Sequence, residues 1–264
     1  MRQHCGQVLS GRTKKHMNSK QVEKFDRYIA SNDCIDTHHS FVSRRAVLPE
    51  SYYPVLDLIP RRIEELKIEN PLVLDLAMGS GQTSAYLEKM KLRVIRAELS
   101  WSALNINKGF RVRCSADDEL PFGNESLDAV HFKDALIHIE DKSKLFGEIR
   151  RVLKTRGVLL MTSAKNPTEP FFYYYRKYKG RQLKEEKSFS TLTEYCHIVS
   201  QMEKSNKISG IYPPYFVVDK GDIDNGLREH NLKVIKYFIW KRRPLEPDWY
   251  DEREPRMVYL VRKE

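Results

Sequence analysis

The stretch Val73-Leu74-Asp75-Leu76-Ala77-Met78-Gly79-Ser80-Gly81-Gln82-Thr83 decides the fold. Its apolar start, from Leu72 to Leu76, is short and closed by small residues, the signature of a buried parallel strand running into a turn and then a helix. In Ala77-x-Gly79-x-Gly81 the missing or minimal side chains let a ligand lie directly on the backbone at the carboxyl end of the strand, where the helix start offers unpaired N–H groups. Glu98 follows 19 residues after Gly79, at the end of the next apolar run, Val94–Ala97. An acid there can accept hydrogen bonds from both hydroxyls of a ribose. A glycine turn alone is often only a tight turn. Strand, turn and acid in register point to a nucleoside-bearing cofactor.

Outward from this stretch, further apolar runs follow at Val112–Cys114, Ala129–Phe132 and Val158–Met161, with helix-period segments between them, such as Leu145, Phe146, Ile149, Val152 and Leu153. Strands alternating with helices mean βαβ units and a parallel sheet. The alternation stops after Met161 for about fifty residues and resumes with a helix near 220–230, a strand at Val234–Trp240 and a last strand at Met257–Val261. Before the core, Val22, Phe25, Tyr28 and Ile29 suggest one helix, and Val55, Leu58, Ile59, Ile63 and Leu66 another. The chain divides into a basic arm (1–22), N-terminal helices (23–70), a cofactor-binding core (71–165), a substrate-recognition insert (166–218) and a closing helix with two strands (219–264).

Three later segments specify the cofactor. Asp117-Asp118-Glu119-Leu120-Pro121-Phe122 leads through Leu127-Asp128-Ala129-Val130 to Leu136-Ile137-His138, and Glu148-Ile149-Arg150-Arg151-Val152-Leu153-Lys154 ends at Gly157. With the glycine turn, these residues resemble the class I S-adenosylmethionine-dependent methyltransferases, and within them the group typified by ubiquinone/menaquinone-biosynthesis methyltransferases. The likeness covers roughly residues 70–163. It implies an α/β, Rossmann-like, doubly wound sheet of seven strands, mostly parallel, whose seventh strand is antiparallel.

The resemblance also implies roles. Asp75, Ala77, Met78, Gly79, Ser80 and Gly81 would shape the pocket for the methionine part, with Ala77 where many relatives have glycine. Glu98 would hold the ribose, and Leu99 would flank the adenine. The acid that meets the adenine amino group falls four residues before the Leu of Leu-Pro-Phe in relatives; here that position is Ala116, so either the loop shifts to use Asp117 or Asp118 takes the role. Lys133 and Asp134 would sit near the methionine amino group, mainly through backbone. Thr155-Arg156-Gly157 replaces Pro-Gly-Gly in a turn away from the chemistry.

Sulfonium transfer is an in-line displacement with a neutral leaving thioether, so the protein mainly aligns and desolvates the reactants. A base is needed only where the nucleophile must lose a proton. His138, where relatives carry a histidine near the methyl end, is the candidate catalytic or substrate-contacting group; the alternative is that it caps the following helix. His38-His39 read as a solvated loop pair, and Cys34 beside them finds no further ligand at metal-binding spacing. No metal is expected. The run Phe171-Phe172-Tyr173-Tyr174-Tyr175-Arg176-Lys177-Tyr178-Lys179-Gly180-Arg181 would suit phosphates and stacked bases, an apolar lid, or an amphipathic helix packed on the core. Asn166-Pro167-Thr168-Glu169-Pro170 lacks the second consecutive proline of the Asn-Pro-Pro-Tyr motif and follows the wrong strand for it.

Composition bounds the rest. With 264 residues, 41% of them hydrophobic, and a net charge of +10, the chain suits one large folded domain with appendages. It has no apolar run of about 18 residues that would span a membrane. Its four scattered cysteines (Cys5, Cys34, Cys114, Cys196) form no C-x-x-C pair and fit a reducing compartment. The arm lacks the apolar run of a secretory signal; it reads as a frayed basic end in a cytoplasmic protein, or as an organelle-import segment. Residues 51–165 hold 18 basic and 16 acidic side chains, so the surplus lies in the flanks. The expected function is methyl transfer from S-adenosyl-L-methionine to a small molecule, with an anionic acceptor favoured. An RNA (tRNA or rRNA) methyltransferase and a non-catalytic member binding cofactor or a partner protein are the alternatives.

Overall fold

The computed structural model describes residues 50–105, 107–164, 171–173, 187–189, 218, 220–240 and 256–264. The basic arm, the helix suggested from Val22 to Ile29, Cys34, His38-His39 and all but a few residues of the insert lie outside them.

Nine strands are described, β1 (Leu72–Leu76), β2 (Arg93–Glu98), β3 (Phe110–Arg113), β4 (Leu127–Lys133), β5 (Leu153–Ala164), β6 (Phe171–Tyr173), β7 (Lys187–Phe189), β8 (Leu232–Trp240) and β9 (Arg256–Lys263). Seven of them form one sheet in the order β3-β2-β1-β4-β5-β9-β8, and β6 pairs with β7. Strands β1 to β5 pair in parallel, and β9 runs antiparallel to both β5 and β8. The seven-stranded, doubly wound sheet expected from the sequence is therefore present, including its one reversed strand. The chain leaves β1 toward β2 and leaves β4 toward β5, so the strand order reverses between β1 and β4. The carboxyl ends of β1 and β4 are thus the switch point, the place where open α/β sheets bind ligands.

Helices cover both faces. These are α1 (Tyr53–Leu56), α2 (Leu58–Glu65), α3 (Gln82–Lys89), α4 (Trp101–Asn105), α5 (Lys142–Val152) and α6 (Lys220–Glu229). Alternation along the strands sorts the core into two layers. Leu74, Leu76, Val130, Phe132, Leu159 and Met161 pack with Leu145, Phe146 and Ile149 of α5 and Ile223 and Leu227 of α6. On the other face Val73, Ala129, Val158 and Leu160 meet Val55, Leu56, Ile59, Ile63 and Leu87. Burying each such large side chain contributes about 1.5–3 kcal/mol. Asp75 and His131 alternate onto this second face, an ionisable pair in an apolar layer. No helix among the described residues is long and apolar enough to cross a membrane.

Candidate cofactor and active site

The turn between β1 and α3 is left-handed at three positions, with φ of 54° at Ala77, 55° at Gly79 and 74° at Gly81. At Ala77 that conformation costs about 1–2 kcal/mol, which glycine would avoid. Backbone bonds hold the turn in place: Met78 N–H donates to Ala97 O at 3.1 Å, and Gly81 N–H to Met78 O at 3.0 Å. Gly79 N–H donates to Glu98 Oε2 at 3.0 Å, while Glu98 Oε1 accepts from Leu99 N–H at 2.8 Å and Ser100 N–H at 3.0 Å. Burial pushes the Glu98 carboxyl above its ordinary range, and these three N–H groups oppose the rise. The acid picked from the sequence for the ribose thus already braces the turn. Oε2 keeps one lone pair for a ligand donor.

Gly81 has a second reason to be glycine. A Cβ there would lie 2.1 Å from Oδ1 of Asn107, whose Nδ2 donates to Ala103 O at 2.8 Å. The space above Gly81 is filled by a side chain from beyond α4. Asn107 carries no motif, and its role was invisible in the sequence.

Asp75 lies beneath the turn. Only 1% exposed, it accepts from Ser84 Oγ at 2.5 Å on Oδ2, and its Oδ1 is 2.8 Å from His131 Nδ1. The carboxylate therefore straps β1 to the first turn of α3. His131 had no sequence signal of its own; it is found only through the β1–β4 register, in which it stands opposite Asp75.

On the β3 side, Asp117 Oδ1 accepts Glu140 N–H at 3.1 Å, and Lys144 Nζ donates to Asp117 O at 2.5 Å. Burial pushes the Asp117 carboxyl up. Asp118 lies 4.0 Å from Lys144 Nζ. Together with burial, the charges of Glu98 and Asp118 push the Cys114 thiol up to about 12. The two motifs that frame this loop meet in space. Glu148 Oε2 accepts Leu120 N–H at 2.7 Å, and Arg151, paired with Glu148, donates to Leu120 O at 2.8 Å and Phe122 O at 2.7 Å.

Just past the end of β4, Asp134 takes a φ of 53°, and its N–H donates to Thr162 O at 2.9 Å. Its carboxylate accepts from Thr162 Oγ1 at 3.2 Å and pairs with Lys133 and Arg256, each at 3.2 Å. Burial alone would raise this acid, but the two cations and the hydroxyl hold it down at about 2. Lys133 Nζ stands 5.5 Å over the ring of Tyr52, which Trp240 meets edge-on at 5.2 Å. Tyr52 is buried, and its hydroxyl reaches Thr162 Oγ1 at 3.5 Å. His138 ends the short 3-10 turn Leu136–His138 and is half-buried. Its N–H donates to Ala135 O at 2.9 Å, so the turn fixes its backbone without a side-chain cap. Tyr52, Thr162 and Arg256 were not singled out from the sequence, because three separate segments bring them together.

The comparisons with known proteins agree with this geometry. A family described as a methyltransferase domain matches residues 74–161. Demethylmenaquinone methyltransferase of Renibacterium salmoninarum is 33% identical over 116 residues, covering 42% of this chain and 49% of that protein. Among solved structures, a Haloferax volcanii methyltransferase in complex with the Trm112 methyltransferase activator superposes with a TM-score of 0.56 at 17% identity, over 90% of this chain and 97% of that one. Burkholderia thailandensis 1,6-didemethyltoxoflavin-N1-methyltransferase, with S-adenosylhomocysteine bound, gives 0.55 at 15% identity, over 97% and 93%. The chain spans somewhat under half the length of the demethylmenaquinone methyltransferases it matches. The fold is that of the S-adenosylmethionine-dependent methyltransferases. Within it, residues 74–161 are similar to the methyltransferase-domain family. The residues suit such a cofactor: the left-handed turn stands at the switch point, and a buried carboxylate at the end of β2 keeps an acceptor site.

Proposed function

We propose that the protein transfers the methyl group of S-adenosyl-L-methionine to a small-molecule acceptor by in-line displacement. The observation that carries the reading is the bracing of the left-handed Ala77–Gly81 turn by Glu98 at the strand-order switch. When bound, the cofactor supplies an electrophilic methyl on a sulfonium. The chain's own residues then bind and align. Glu98 accepts a ribose hydroxyl on its remaining lone pair, and Leu99 flanks the adenine. Asp117 or Asp118 receives the adenine amino group; Asp117 still offers Oδ2 beside the Oδ1 that takes Glu140 N–H. The backbone from Ala77 through Met78, Gly79, Ser80 and Gly81 lies against the methionine part, with Asp75 acting from below through Ser84. Lys133 and Asp134 border the methionine amino group.

His138, at the exit of β4, faces the acceptor in this reading and takes its proton where the nucleophile carries one. Asp134 is a poor base for that step, because two cations hold it ionised down to about pH 2. The small-molecule acceptor is supported by the demethylmenaquinone methyltransferases, which share a third of the aligned residues. A labelled-methyl transfer assay against fractionated small-molecule and RNA pools tests the reading. Label appearing in small molecules upholds it, whereas label confined to RNA replaces the acceptor class.

A further inference from the structure

Resting on the cofactor reading above, we propose that His131 is a positioning residue for the cofactor-binding turn: through Asp75 and Ser84 it fixes the loop between β1 and α3 on which the cofactor lies. His131 is wholly buried in β4, with Val73, Ala129 and Leu160 in the same apolar layer. A leucine would fill the same space with no polar atom of its own to satisfy. The imidazole instead places Nδ1 at 2.8 Å from Asp75 Oδ1, while Nε2 is buried with no hydrogen-bond partner among the described residues. An unmet buried polar atom costs about 1–3 kcal/mol.

What it provides in return is local. Asp75 is a buried carboxylate with one donor on each oxygen, Ser84 Oγ on Oδ2 and His131 Nδ1 on Oδ1. Asp75 precedes the left-handed Ala77 by two residues, and Ser84 follows Gly81 by three. The carboxylate therefore closes a strap around the whole turn. Glu98 braces the same turn from the β2 side through Gly79 N–H. With His131 gone, one oxygen of a buried carboxylate loses its donor, and the strap no longer has a single geometry. The cofactor must then order the turn itself, and its affinity falls.

Three variants test the role: His131→Leu, His131→Asn and Ser84→Ala. Binding of S-adenosylhomocysteine is measured by calorimetry, with thermal unfolding in parallel. His131→Leu is expected to weaken binding roughly tenfold, the worth of one hydrogen bond to a charged group. It should raise KM for the cofactor while kcat at saturating cofactor stays within about twofold, as for a residue that acts only on binding. His131→Asn, whose amide N–H replaces Nδ1–H, should recover most of the affinity. Ser84→Ala, which opens the other end of the strap, should lose affinity as His131→Leu does, and it keeps the test alive if the leucine variant fails to fold. Binding by His131→Leu within twofold of wild type, or an asparagine variant as weak as the leucine one, overturns the role of His131 alone. Wild-type protein that binds no S-adenosylhomocysteine overturns the cofactor reading beneath it.

Discussion

Gly79 N–H donates to Glu98 Oε2 at 3.0 Å across 19 residues of sequence, joining the glycine turn after β1 to the end of β2. One carboxylate thereby satisfies three backbone donors, at Gly79, Leu99 and Ser100. Glu98→Ala leaves all three without their acceptor and should cost about 2–3 kcal/mol of stability. Glu98→Gln, which keeps one carbonyl acceptor, should cost less. Urea unfolding of the two variants gives the comparison, and equal midpoints for Ala and wild type would remove Glu98 from the bracing of the turn.

Gly81→Ala meets two obstacles of different origin. Its φ of 74° is strained for any side chain, and its Cβ would reach Asn107 Oδ1 at 2.1 Å. The backbone part amounts to about 1–2 kcal/mol and cannot be relieved by a neighbour. The collision can, because Oδ1 is the end of a side chain. Asn107→Ala in the Gly81→Ala background should therefore recover part of the lost stability and no more. Full recovery would mean that the turn tolerates a left-handed alanine at 81 as it does at Ala77.

Asp134 makes stability depend on acid. Its folded carboxyl is held at about 2 against an ordinary 3.8, despite burial, by Lys133, Arg256 and Thr162. A depressed carboxyl stabilises the fold above its unfolded value and loses that contribution as pH falls through the folded one. Asp134→Asn should thus lower stability at neutral pH by on the order of 2 kcal/mol. The gap between variant and wild type should close as pH drops from about 4 toward about 2. A gap independent of pH in chemical denaturation would contradict the charge-pairing account.

Arg151 donates to both Leu120 O and Phe122 O while pairing with Glu148, which itself accepts Leu120 N–H. This clamp carries the loop that presents Asp117 and Asp118. Arg151→Leu should destabilise the protein by about 1–3 kcal/mol, since it leaves the partly buried Glu148 carboxylate without its cation and the Phe122 carbonyl without this donor. It should also speed amide exchange at 117–122, which hydrogen-exchange mass spectrometry resolves. Unchanged exchange there would show that the loop is held by its apolar residues alone.

For His138, the proposed place at the acceptor end separates chemistry from binding. His138→Ala should lower turnover by roughly 100-fold, the usual worth of a general base, with cofactor affinity unchanged. Normal turnover would leave it a structural residue of the turn after β4.

Local signals made most of the core legible. The apolar run of β1, the small residues of the turn and the acid closing β2 each announce themselves within a few residues, and the mostly parallel sheet with its reversed strand followed from alternation and resemblance. The margins of the elements were less visible. The third strand was expected at Val112–Cys114 but runs from Phe110 to Arg113, because an edge strand with Phe110 61% exposed needs no continuous apolar run. Leu153, read with the helix before it, begins β5 instead, where a bulge interrupts the β4 pairing between Leu127 and Ala129. In the candidate site, the motif residues stand out in the sequence, but the partners they meet in the structure do not. His131 meets Asp75 through strand register, Asn107 covers Gly81 from beyond a helix, and Tyr52, Thr162 and Arg256 gather around Asp134 from three segments. Such contacts exist only once the sheet is assembled.

The most direct test of the central claim is calorimetric titration of S-adenosylhomocysteine into the wild-type protein and Glu98→Ala. The account predicts one-to-one binding to the wild type and a loss of roughly tenfold or more in the variant, as charge-assisted hydrogen bonds disappear. Absence of binding to the wild type, or equal affinity in both proteins, would contradict it.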